Sequence, residues 1–475
     1  MSLPALEAQL RQDLAALNQP AENWVPPRGP GISDALIIGG GMLGLTASLA
    51  LTRLGIRHHR VLDAAPAGQE GPWITYARML TLRSPKHLVG PAQDLPSLTF
   101  RAWYTAQHGE AGWDALGKIP RGMWMDYLIW FRSVLRLPVT NGIAMRGIRP
   151  GPDGLIAVET DTEGTLLTRR LVLATGRDGL GGPRIPDWVP QPRGPRIRHS
   201  AEVVDFAALA GKRVAVIGAS ASAVDNAATA LEQGAAEVHM LVRRPALPVL
   251  NRFKSMTHAG YTHGLPGFDD ATRLEILRAA GEGAVAPPRE SLLRLTRQPG
   301  FRLHLATPVL AATEDAEGVT LRLPGETLRV AMLILGTGFA VDLALRPELA
   351  GIAPLVRRWG DVLPGDLGEF ATYPYLGRDF EFLARTPGTA PWLGHVHAFS
   401  IGAIASLGLI SGDIPAVGDG ARRLAEAMAG SLFQEDAAQH LAALRAYADP
   451  ELLGDEVPAE ALAYSAAAMK SRTAG

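Results

Sequence analysis

Residues 212–231, KRVAVIGASASAVDNAATAL, pass from an apolar stretch through a glycine–serine turn into a run of alanines. That order predicts a buried strand, a tight turn and a helix of small residues. A turn of this kind presents backbone N–H groups at a helix N-terminus, where the helix dipole favours negative charge. The same order occurs far upstream, at 34–51, DALIIGGGMLGLTASLAL. Two such units in one chain predict two modules, each able to cradle a phosphate-bearing ligand.

Working outward, the upstream unit predicts a strand over 35–38, a helix to Leu54 and a strand ending HRVLDA. Helices with spaced tryptophan and leucine follow over 98–136. The stretch LIAVETDTEGTLLTRRLVLATG (155–176) alternates around acidic turns, as a β-meander does. After a proline-rich crossing, GGPRIPDWVPQPRGP, the order repeats. A strand over 214–217, a glycine turn, a helix and the strand EVHMLVRR lead to a second meander over 309–338. The two halves end alike, LVLATG at 171–176 and LILGTG at 333–338. The repeat is one of architecture, too diverged to be a repeat of sequence.

The fold class expected is α/β, with two Rossmann-like three-layer dinucleotide-binding domains, each carrying a β-meander. The expected division is an N-terminal helix and linker (1–30), a first domain (31–205), a second (206–332), and a return to the first with C-terminal helices (333–475). A chain of 475 residues has length for two or three domains. Formal net charge of −1 gives no basic stripe for nucleic acid and no polybasic helix for anionic lipid. The longest apolar run, IGAIASLGLI, is far shorter than the ~20 residues that span a bilayer. The N-terminus lacks an apolar signal core, so a cytoplasmic location is expected. A homo-oligomer is compatible with this composition. The chain has no cysteine, which removes disulfide frameworks, iron–sulfur clusters and dithiol redox chemistry.

The two turns ask for different ligands. In the first, Gly39 makes the turn, Gly41 lets a pyrophosphate approach and Gly44 lets helix and strand pack. Asp63, 24 residues past Gly39, ends the next strand, where an acid accepts bonds from a ribose diol. The second turn has Gly218, Ser220 and Ala223, with Ser222 beside them, and the serine hydroxyl can donate to phosphate. Its next strand ends in Arg243 and Arg244, which suit a 2′-phosphate through charge-assisted bonds. FAD in the first module and NADPH in the second is the economical assignment. Thr175, Gly176 and Thr337, at the ends of the matching strands, join the expected cofactor-binding set. Asp225, early in the second helix, reads as a surface acid favoured by the dipole.

With these residues together, the chain resembles the flavoprotein monooxygenases that bind FAD and NADPH in separate domains. That group includes flavin-containing monooxygenases, Baeyer–Villiger monooxygenases and N-hydroxylases. The resemblance spans about 30–415 and rests on both turns, ATG at 174–176, GTGF at 336–339 and EGPW at 70–73. It implies that Trp73 sits by the flavin and that the position eleven residues on, Ser84 preceded by Arg83, lies near its reactive edge. A serine there can hydrogen-bond but cannot act as a carboxylate. The family fingerprint FxGxxxHxxx(W) is poorly kept: His199 and Ser200 are present, but Pro192 replaces the phenylalanine and Val203 the tryptophan. Ketone-to-ester oxidation is therefore the less favoured branch. The stretches GPWITYARM, LATGRDGLGG and SGDIPA are similar to bacterial FAD-dependent urate hydroxylases.

The resemblance implies that NADPH reduces FAD and that one oxygen atom of O2 is transferred to a small-molecule substrate through a C4a-(hydro)peroxyflavin. The protein then supplies position and water exclusion. His395 and His397 share a strand face but lack a third ligand, so no metal is expected. They begin a segment returning to the flavin near Ser400. Hydrolase motifs are absent from the sequence. Two rivals stay open at this stage: an NADPH:acceptor flavin reductase without oxygen transfer, and a non-catalytic NADPH sensor.

Overall fold

The structure is a computed structural model, described here over residues 1–458 and 461. Helix α1 (Leu3–Ala16) is capped by Ser2 and buries Leu6 and Leu10. Strand β1 (Ile32–Ile38), helix α2 (Met42–Arg53) and strand β2 (His59–Asp63) form the first strand–turn–helix unit; β1 begins three residues before the expected start, and the ends of α2 and β2 fall within one residue of expectation. Helices α3 (Phe100–Ala115) and α4 (Arg121–Val134) stack their aromatic rings around Phe100 and Tyr127. Strands β3 (Val139–Asn141), β4 (Met145–Pro150), β5 (Ile156–Thr160) and β6 (Thr165–Leu173) follow.

The chain then crosses through β7 (Gly181–Pro183) and β8 (Ile197–His199) into the second unit: β9 (Arg213–Ile217), α5 (Ala221–Glu232) and β10 (Glu237–Leu241). Helices α6 (Ala259–Gly264), α7 (Asp270–Gly281) and α8 (Arg289–Thr296) precede β11 (Phe301–His304). The second meander is β12 (Ala311–Glu314), β13 (Val319–Leu323) and β14 (Glu326–Val330), and β15 (Met332–Leu335) follows it. Strand β16 (Phe339–Val341) leads back to β17 (Val396–His397) and helix α9 (Ile404–Leu407). Helix α10 (Val417–Glu435) begins in the compact unit Met1–Ala429. The unit Gly430–Gly475 contains the end of α10 and α11 (Ala437–Ala446), which buries none of its residues.

The sheets confirm the architectural repeat. The first has the order β3-β2-β1-β6-β5-β4, with β17 also on β6; the second has β11-β10-β9-β15-β8. In each, the core strands β3-β2-β1-β6 and β11-β10-β9-β15 are parallel and in matching order. Strand β6 serves twice: its first half pairs antiparallel with β5, and Leu171 and Val172 pair parallel with β17. In the second module the three meander strands form a sheet of their own. Strands β8 and β15 both belong to the second sheet, although β8 precedes residue 206 and β15 lies almost wholly past residue 332.

The two crossings pair with each other. Strands β7 and β16 form an antiparallel ribbon, and a Cβ on Gly181 would stand 1.9 Å from the Ala340 carbonyl oxygen. Glycine is therefore required where the outgoing and returning chains touch. His199, fully buried, reaches the same place through a 2.9 Å bond between Nε2 and the Gly338 carbonyl. Its Nδ1 accepts from the Ala201 amide, so burial keeps the ring neutral with the proton on Nε2. Val203, at the fingerprint tryptophan position, is 88% exposed. Among the described residues, no helix is long and apolar enough to cross a membrane.

Candidate functional site: two unlike nucleotide cradles

The first cradle is built by close approach. Gly39 has φ +108°, and a Cβ there would lie 2.4 Å from the Ala174 carbonyl oxygen at the end of β6. A Cβ on Gly44 would lie 1.8 Å from the Gly39 carbonyl oxygen, so the helix can sit on the turn only without a side chain. Gly41 is different: its nearest heavy atoms are 3.9 Å away, in Gly71. The fold leaves room for a side chain there. Gly41 is also the N-cap of α2 and gives no side-chain cap to the first amides. Open space and uncapped amides at the same point fit a pyrophosphate, which would use both.

Asp63 closes this cradle from the end of β2. Its Oδ2 accepts from the Gly40 amide at 2.6 Å and its Oδ1 from the Ala65 amide at 2.7 Å. Burial raises its pKa, with nearby Glu70 adding to the rise; the amide bonds and Arg132 oppose it. Beside it opens a cavity of about 330 Å³, lined by Gly40, Gly41, Glu70, Met125, Ile129 and Arg132 among others. Glu70, Arg132 and Asn141 form a closed polar triangle at its edge. Arg132 Nη1 donates to Glu70 at 2.8 Å and to Asn141 at 2.8 Å, and Asn141 donates to Glu70 at 2.7 Å. Sequence reasoning missed this triangle. Its signals were present: Glu70 opens EGPW, and Arg132 is a cation near the end of an aromatic helix.

Thr175 and Gly176 end β6 against this turn. The Thr175 hydroxyl is buried without a hydrogen-bond partner, and a Cβ on Gly179 would come within 1.8 Å of it. Trp73 is half-buried, edge-on to Trp124 at 6.3 Å, with its carbonyl held by Arg121. Ser84 is half-buried. Arg83 is open to solvent yet sits in a charged recess: desolvation and Arg177 lower its pKa, while Asp225 and Asp413 raise it.

The second cradle uses different atoms for the same shape. Gly218 has φ +107°, and its Cβ would meet the Gly336 carbonyl oxygen at 2.7 Å. Where the first helix has Gly44, this one has Ala223, and the facing strand end has Gly336 where the first module has Ala174. A Cβ on Gly336 would stand 2.5 Å from the Ala223 Cβ. Ser220 is the N-cap of α5 but makes no cap bond; it and Ser222 are exposed. Both hydroxyls therefore remain available to an anion. Arg243 is exposed after β10, whereas Arg244 donates to the Gly283 carbonyl. The Thr337 hydroxyl is committed to the Arg184 carbonyl, in the crossing.

Asp225 corrects the expectation of a surface acid. It is 2% exposed, and desolvation raises its pKa against a Ser291 hydrogen bond and the charges of Arg83 and Arg294. The helical face it occupies is covered by α8, which the local sequence did not reveal.

The comparisons agree with this geometry. Residues 36–256 match the family model described as pyridine nucleotide-disulphide oxidoreductase. With no cysteine in the chain, the match reflects the nucleotide-binding frame and not dithiol chemistry. The FAD-dependent urate hydroxylase of Xanthomonas campestris pathovar campestris is 39% identical over 463 residues, 96% of this chain and 98% of that one. Among solved structures, the reduced ornithine hydroxylase of Pseudomonas aeruginosa matches with TM-score 0.65 at 21% identity, over 85% of this chain and 99% of that one. The Kutzneria ornithine N-hydroxylase, solved with reduced FAD, NADP+ and L-ornithine, matches with TM-score 0.66 at 16% identity, over 84% and 99%. These two share the fold. The chain belongs to the family of the Xanthomonas FAD-dependent hydroxylase.

Proposed function

We propose that this enzyme uses NADPH to insert one O2-derived oxygen into a small nitrogenous substrate, with urate the first compound to test. FAD binds at Gly39, Gly41, Gly44 and Asp63, and NADPH at Gly218, Ser220, Ser222 and Arg243. The observation that carries this reading is the unlike chemistry of the two ribose ends: Asp63 holds amides beside a cavity, while Arg243 stands free. One suits a diol and the other a phosphate. Bound flavin would supply the oxygen-activating chemistry. The chain's own residues fix the two nucleotides and keep water from the reacting edge, where Trp73 and Ser84 stand in our reading. Exposed Val203 in place of a packed tryptophan supports N-, S- or purine hydroxylation over ketone oxidation.

The test is oxygen-electrode and peroxide measurement on FAD-loaded enzyme with NADPH. Urate should accelerate NADPH consumption, disappear in step with it, and suppress peroxide. Peroxide matching NADPH for urate and for every amine, amino acid and sulfide tried would overturn the reading in favour of a reductase.

A further inference from the structure

Arg294 on α8 ties the two modules together at a point separate from the β7/β16 ribbon. Its side chain is 11% exposed, and its planar fork is nearly fully used. Nε and Nη2 grip Glu232, each at 2.5 Å, and Nη2 also donates to the Thr229 hydroxyl at 3.0 Å. Nη1 faces Asp225 Oδ1 at 3.8 Å. Asp225, Thr229 and Glu232 are spaced i, i+4, i+7 along α5, so they form one face of the helix that opens at Ser220. Nη1 then reaches out of the module and donates to the Arg78 carbonyl at 3.0 Å.

Arg78 lies in the flavin-side segment that runs from Trp73 to Ser84. The segment returns the contact: the Arg78 guanidinium sits 5.3 Å from the ring of Phe206, a core residue of the second module. Arg83, further along it, is within charge range of Asp225. Asp225 is almost fully buried, and its Oδ1 has no hydrogen-bond partner. A carboxylate in that state is costly to keep for packing alone. Its position between Arg294 and Arg83 gives it a use.

We propose that Arg294 and Asp225 are positioning residues that hold the nicotinamide-side helix α5 in register with the flavin-side segment 76–84. Hydride transfer depends on that register. The inference rests on the assignment of NADPH to the second module. Neither residue touches the reacting atoms; each acts through the segment it holds. Misplacement of reacting groups by about 1 Å costs on the order of 100-fold in rate.

The experiment compares FAD-loaded wild type with Arg294→Ala, Arg294→Lys and Asp225→Asn. Two readouts are taken: anaerobic flavin reduction by NADPH, and amide hydrogen exchange over 76–84. Arg294→Ala should slow reduction by roughly 10- to 100-fold and speed exchange in 76–84, with FAD content and NADP+ affinity within about twofold of wild type. Reduction by dithionite should be unaffected. Arg294→Lys, which keeps charge but loses the fork, should fall between. Asp225→Asn should slow reduction less than Arg294→Ala. Unchanged exchange and unchanged reduction in Arg294→Ala would overturn the proposal. So would equal loosening of the whole chain in both Arg294 variants, since that is general stability. If wild type is not reduced by NADPH at all, the functional reading falls, and the exchange measurement still decides whether Arg294 holds the segment.

Discussion

The two cradles make similar turns with their small residues placed differently. In the first, the helix gives up its side chain at Gly44 and the facing strand keeps one at Ala174. In the second, the helix keeps Ala223 and the strand gives up its side chain at Gly336. Ala223 is accommodated by a glycine more than a hundred residues away, whereas Gly44 answers to the carbonyl of Gly39, five residues before it. The positions that differ without a packing cause, Gly41 against Ser220 and Asp63 against Arg243, are the ones to which our proposal assigns ligand discrimination.

The comparison breaks most visibly at the packing glycines. Gly44→Ala places a Cβ 1.8 Å from a backbone oxygen, which nothing flexible can relieve. We expect the largest loss here, at or above the ~1–3 kcal/mol usual for overpacking, read as a fall in Tm together with loss of bound FAD. Gly336→Ala should destabilise the second module similarly. Adding Ala223→Gly should restore part of the loss, because the 2.5 Å methyl contact disappears while the Ile217 carbonyl at 2.6 Å remains. No recovery in the double variant would mean that Gly336 does not make room for the Ala223 methyl.

Gly41→Ala separates ligand from fold. The space around it accepts a Cβ, so the Tm of FAD-free protein should move little, by no more than about 0.5 kcal/mol in stability. FAD affinity should fall by tenfold or more. A large loss of apo stability would return Gly41 to the packing class. A smaller effect is expected at the second ribose end. Arg243→Ala should cost NADPH about tenfold against NADH, as loss of a charge-assisted bond does. Arg244→Ala should cost less, since its guanidinium already serves the Gly283 carbonyl. Equal effects would show that the two arginines share the phosphate.

The smallest expected effect is acid sensitivity. His59 and His397 are buried, and burial holds each near a pKa of about 4. His59 pairs with the Ser48 hydroxyl at 2.8 Å and His397 with the Asp379 carbonyl at 2.8 Å. The unfolded chain takes protons at these rings below the ordinary 6.5, and the folded chain does not. Their contribution is complete above that value and is lost as pH falls towards 4. Each kcal/mol lost lowers Tm by only about 1 °C in a chain of this size. His59→Gln should flatten the slope of Tm against pH; an unchanged slope would place the acid sensitivity elsewhere.

Much of the fold was legible because hydrophobic period and glycine punctuation are local signals. The positions of β1, α2, β2, β9 and α5 follow from them, as does the matched ending of the two halves. What stayed hidden depends on contacts between distant segments. Asp225 looks like a surface acid until α8 covers it. Glu70, Arg132 and Asn141 meet only after the sheet brings β3 beside the loop that follows β2. The Thr337 hydroxyl bonds to the Arg184 carbonyl, 153 residues away in the sequence, a contact no local pattern announces. Arg169 and Arg170 are buried in β6, with Arg169 3.7 Å from Asp34, a placement that local sequence does not announce.

The strand order also bears on how the chain is made. Every strand of the second sheet lies between Ile197 and Leu335, so that sheet can close once residue 335 has left the ribosome. The first sheet began to be synthesised earlier but takes its last strand from Val396–His397. Through the synthesis of more than two hundred residues after β6, its parallel edge at Leu171 and Val172 stands open. An open parallel edge is a template for wrong partners. The sheet whose synthesis begins first is the sheet completed last, with every strand of the other made in between.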